Sequence, residues 1–201
     1  MRGQIVGPAR HVHRPFIGLV LDGQGLAPVP DQKRAGRGLG LAVHDLARVH
    51  VRGQGRGIDL DPASNHIANE TVKAKTYYSD FALTSVWYGN VWMNHPFDRH
   101  QNAWWVDKLI SSYTHGDVSQ ACCITFASTS ERWFQPLLRF PQCYLSPRTN
   151  YIRLDGTPVK GVTKGSVVTY LGNRFHSFAK EFDSLGNVVL PYKWLYGKEA
   201  K

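Results

Sequence analysis

The chain has 201 residues, enough for one sizeable core and short for two ordinary domains. It holds no apolar run of about eighteen residues, and its amino terminus lacks the apolar stretch of a signal peptide, which points to a cytoplasmic protein with no membrane partner. The formal charge of +9 is uneven: residues 1–56 carry nine Lys and Arg against three Asp and Glu, and the remainder fifteen against twelve, a footprint too weak over the main body to name a ligand.

Residues 1–56 read as an atypical, basic and poorly ordered segment rich in Gly, Arg, His and Pro, although residues 40–51 can make a short helix or strand. His11, His13, His44 and His50 lack carboxylate or thiol company at ligand spacing, so no metal is expected there. GQGRG at 53–57 has no strand before it and no helix after it, and carries no phosphate-binding expectation.

The domain is expected to span residues 57–201. Ile58 and Leu60 alternate with Asp59 and Asp61 in a short strand that ends at Pro62, and a helix is predicted over 67–75. An acidic residue at the end of a parallel strand, followed by a tight turn and a helix, is how open α/β sheets receive nucleoside-containing cofactors. Asp61, Pro62, Ala63, Ser64 and Asn65 form such a turn, without the glycines of a dinucleotide fingerprint. The plain alternative is a strand end capped by Asp and Pro.

Val91-Trp92-Met93 then runs as an apolar strand into Asn94-His95-Pro96-Phe97. That corner offers an amide oxygen, a backbone carbonyl held by the following proline, and an aromatic face, three groups that suit a planar amino-bearing base. His95 and His100 have no ligand cluster around them and are assigned no metal or general-base role. A helix is predicted over 101–113 with Trp105, Val106, Leu109, Ile110 and Tyr113 on one face and Gly116 just past its end, leaving Trp104 outside the stripe.

Residues 121–127 read as a central strand buried on both faces. It contains Cys122 and Cys123, which with Cys143 form no zinc or disulfide pattern and are expected to be buried thiols. Ser128 to Glu131 has capping-box spacing and predicts a helix through Trp133, Phe134, Leu137 and Leu138 that Pro136 kinks or splits. Residues 151–154 and 166–171 suggest two antiparallel strands, 175–185 a helix ended by Gly186, and 188–190 a last strand. In Lys164-Gly165-Ser166 the lysine precedes the glycine and a strand follows, so it is not a phosphate loop. Alternating strands and helices predict an α/β fold, mostly parallel with an antiparallel C-terminal hairpin.

Taken together, Asp61-Pro62-Ala63-Ser64 and Asn94-His95-Pro96-Phe97, with residues 87–94, 125–134, 148–151 and 164–172 in this order, resemble the phage-type DNA N6-adenine methyltransferases over about residues 57–190. The resemblance implies a Rossmann-like sheet, S-adenosylmethionine as cofactor, double-stranded DNA as partner, and a phage or prophage enzyme acting in a bacterial host. It implies that a flipped adenine is held by the Asn94 side chain, the carbonyl of His95 and the Phe97 ring, with Pro96 shaping the corner. Asp61 to Asn65 would border the cofactor, without a metal. His95 stands where the family carries Pro, and the Trp-x-Thr-Pro-like helix that the family has before the Asp turn is not found in residues 1–56. Two further readings remain: a non-catalytic DNA-binding relative, and a methyltransferase acting on RNA or glutamine.

Overall fold

The computed structural model describes residues 43–149, 151 and 163–192. Their elements are α1 (Val43–Gln54), β1 (Leu60–Asp61), α2 (His66–Val72), β2 (Thr76–Tyr77), β3 (Gly89–Met93), α3 (Asn102–His115), β4 (Val118–Phe126), β5 (Gln142–Leu145), β6 (Ser166–Leu171), α4 (Phe175–Phe182) and β7 (Gly186–Val189). The strands form one mixed sheet in the order β2-β1-β3-β4-β6-β5-β7. The first four are mutually parallel, β6 runs antiparallel to both β4 and β5, and β7 antiparallel to β5, so five of the seven point the same way.

Strand periodicity divides the core between the two faces. Val91 and Met93 of β3, Ala121 and Cys123 of β4, and Val167 and Leu171 of β6 pack with Trp105, Val106 and Leu109 of α3. The intervening Trp92, Cys122, Ile124, Val168 and Tyr170 pack with Leu46, Ala47 and Val49 of α1 and Phe178 and Phe182 of α4. With both faces covered, the central strands become the continuous apolar runs seen in the sequence. Helix α3 ends where Gly116 takes a left-handed conformation, φ 88°, as its position predicts. Trp104 stands exposed outside the buried stripe.

Three expectations change. Packing begins at α1, inside the segment expected to be poorly ordered, while residues 1–42 lie outside the described ones. The buried stripe of α1 includes His50, a residue whose burial no local pattern announces. The helix predicted from Ser128 is instead a run of turns followed by a single 3-10 segment, Gln135–Arg139. Glu131, Phe134 and Leu137 each donate to the carbonyl three residues back. Pro136 has no N–H for an α-helical bond and its ring would crowd the carbonyl of Arg132. Finally, β6 does not pair with a strand at 151–154: it lies between β4 and β5, Tyr151 is outside any strand, and 152–154 fall outside the described residues.

Gly89 fixes the approach of β3 to β1. Its φ is +68°, and a Cβ there would stand 2.5 Å from Asp59 Oδ2 and 2.8 Å from Asp59 Cβ. The same Oδ2 accepts the Asn90 amide at 2.8 Å, so Asp59 cannot retreat without breaking that bond. Left-handed strain and the clash together predict that Gly89→Ala lowers the unfolding free energy by roughly 2–4 kcal/mol. Urea denaturation measures this, and a loss well under 1 kcal/mol would show that Asp59 yields freely.

Candidate active site

Strand order turns around at β1. The chain leaves β1 for β2 on one side, and β3 lies on the other, with Leu60 opposite both Thr76 and Val91. In open α/β sheets such a reversal leaves a crevice outside the carboxyl ends of the two strands it separates. Here β1 delivers Asp61-Pro62-Ala63-Ser64 to that edge and β3 delivers Asn94-His95-Pro96-Phe97. A polar network ties the two strands and α1 together behind it. Asn90 Nδ2 donates to the Gly57 carbonyl at 2.9 Å, so Asn90 Oδ1 faces His50 Nε2 at 2.7 Å and that nitrogen carries the proton. Burial lowers the His50 pKa to about 4, which keeps the ring neutral.

Asp61 is 3% exposed, and its Oδ1 accepts the Ala63 amide at 3.2 Å. Burial pushes its carboxyl up to about 7. The Ala63 amide and, more loosely, the Ser64 hydroxyl pull the other way, but that hydroxyl stays outside hydrogen-bond geometry. A cationic group set against Asp61 would restore its charge. Pro62 and Ser64 are buried and Ala63 is half-buried. The Asn65 side chain is engaged elsewhere, capping α2 through a 2.9 Å bond from the Ala68 amide. The turn is held to β2 by Ser64 N donating to the Tyr78 carbonyl at 2.9 Å.

At the second corner, Asn94 is half-buried and its carboxamide makes no hydrogen bond among the described residues; nor does the carbonyl of His95 receive one. Both acceptors named by the sequence therefore remain open. The His95 side chain is fully buried, with Nε2 3.2 Å from Asn102 Oδ1 on α3 and its ring edge-on to Phe97 at 5.6 Å. Burial lowers the His95 pKa to about 4. The imidazole is thus a packed, neutral anchor of this corner to α3. Pro96 is buried, and Phe97 is half-buried.

Residues not anticipated at this edge extend the Phe97 surface. Phe126, the last residue of β4, lies 4.4 Å from the Phe97 ring, and Tyr151 meets Phe97 edge-on at 5.6 Å. Tyr151 Oη bonds Ser166 Oγ at 2.8 Å, fixing the ring against β6. Lys164 Nζ sits 5.6 Å over the Phe126 ring. The sequence signal for these residues was mute, since Phe126 reads as the end of an apolar strand and Lys164 fails the phosphate-loop pattern. Among the described residues no group of three or more His, Cys, Asp or Glu can hold a metal ion, and no helix is long and apolar enough to cross a membrane. The chain matches no family model, no curated protein and no solved structure.

Proposed function

We propose that the protein is an S-adenosylmethionine-dependent methyltransferase acting on adenine N6 in double-stranded DNA. One observation carries the reading: the reversal of strand order at β1 brings a buried carboxylate, Asp61, and an open carboxamide, Asn94, to the carboxyl ends of neighbouring parallel strands. A carboxylate with a pKa near neutrality fits the amino group or a ribose hydroxyl of the cofactor, and the half-buried Ala63 allows backbone approach. S-adenosylmethionine, when bound, supplies an electrophilic methyl group.

The chain's own residues position and polarise the acceptor. Phe97, backed by Phe126 and Tyr151, offers an aromatic surface for the flipped base. Asn94 Oδ1 and the His95 carbonyl accept from the two N6 protons, and so stabilise the positive charge that grows on nitrogen before a proton leaves to solvent. His95 contributes its carbonyl; its ring, neutral and bonded to Asn102, holds that carbonyl's place against α3. Catalysis then rests on alignment and on preplaced acceptors.

Incubation of the purified protein with labelled S-adenosylmethionine and unmethylated duplex DNA, followed by nucleoside digestion, tests this directly. Label is expected in N6-methyladenine. Absence of label, together with no heat of S-adenosylmethionine binding in a calorimeter, would overturn the reading in favour of a non-catalytic relative.

A further inference from the structure

A cation stands beside the aromatic surface of the Phe97 corner. Lys164 and Gly165 lie on the same edge of the sheet as Asn94, because β6 enters antiparallel beside the carboxyl end of β4: Phe126 stands opposite Ser166, and Ala127 N donates to the Gly165 carbonyl at 2.9 Å. Lys164 is exposed, and among the described residues it makes no hydrogen bond and no ion pair. Its ammonium lies over the Phe126 face, itself packed on Phe97. An ammonium placed this way keeps its three donors and its full charge for an anion. A nucleotide held with its base against Phe97 carries such an anion, its phosphate, beside the base.

We infer that Lys164 is a phosphate contact of the site, gripping the backbone of the nucleotide whose base enters against Phe97. This rests on the base-binding reading of the corner. Phe126 positions the contact: its ring face holds the ammonium, and its packing on Phe97 links phosphate grip to base stacking. Such a contact is made by the lysine side chain and needs no backbone phosphate cradle at Lys164-Gly165-Ser166.

The test is the salt dependence of binding to a pool of labelled duplex oligonucleotides of random sequence, followed by fluorescence anisotropy. The slope of log affinity against log salt is expected to become shallower by about 0.9 in Lys164→Ala, one phosphate's counterions, and to return in Lys164→Arg. Identical slopes for the wild type and Lys164→Ala overturn the inference, as does a wild type that does not bind DNA. Methyl transfer to adenine with an unchanged slope leaves the transferase standing without this contact. A shallower slope in a protein that transfers no methyl group keeps the phosphate contact and sinks the transferase.

Discussion

Asn94→Ala is expected to lower methyl transfer to adenine by about 100- to 1,000-fold, the usual effect of deleting one preplaced polar group that meets charge developing in the transition state. The structure makes this a clean experiment. The Asn94 carboxamide is half-buried and makes no hydrogen bond among the described residues, so its removal strips no partner from the fold. Stability should change by no more than about 0.5 kcal/mol, the range of substitutions away from buried networks. S-adenosylmethionine affinity, which the proposed site sets from the β1 side, should hold. Single-turnover transfer at saturating cofactor, read beside a urea midpoint, separates loss of chemistry from loss of fold. A variant that methylates at the wild-type rate would remove Asn94 from the reaction.

The second large effect belongs to Asp61, where function and stability pull in opposite directions. In the unfolded chain an Asp ionises near pH 4, whereas burial holds the folded Asp61 carboxyl protonated up to about 7. Below pH 4 both states carry the proton and the group contributes nothing. Between 4 and 7 the folded state binds the extra proton, so stability falls as pH rises, and above 7 the full penalty is present. On an order-of-magnitude reckoning that penalty is about 4 kcal/mol. Asp61→Asn keeps the size of the side chain and an acceptor for the Ala63 amide but removes the charge. The variant should therefore match the wild type near pH 4 and become several kcal/mol more stable near pH 8, in the absence of ligand. His50 and His95, both lowered to about 4, make either protein lose stability as pH drops below 6.5, and this cancels in the difference.

The same substitution should weaken S-adenosylmethionine binding, since no carboxylate remains to meet its amino group. Calorimetric titration near neutral pH reads this, and the wild-type affinity should rise with pH as Asp61 ionises. A stability gap between Asp61→Asn and wild type that does not vary with pH would show that the carboxyl is not held protonated. A variant that binds the cofactor as tightly as wild type would place the ligand elsewhere. The trade between a stable fold and a strained, buried carboxylate is a common mark of a functional position.

What the sequence by itself determined is what near neighbours along the chain enforce. The continuous apolar runs of β3, β4 and β6 and the one-sided stripe of α3 specify their own elements, because a short run buried on both faces and a face repeating every third and fourth residue are local patterns. The Asp61 and Asn94 corners were legible as strand ends for the same reason: each closes a strand within a few residues. Tertiary structure decided the rest. Only it set β6 between β4 and β5, and so brought Lys164 and Tyr151 to the edge where Phe97 lies. His50 could be buried only because Asn90, forty residues away, accepts its proton. After Ser128 the chain makes turns in place of the predicted helix, and Pro136 stands in the first turn of the 3-10 segment, where its missing donor is tolerated. The Asp61 charge, too, is a property of its surroundings, since the burial that lifts its pKa exists only in the folded chain.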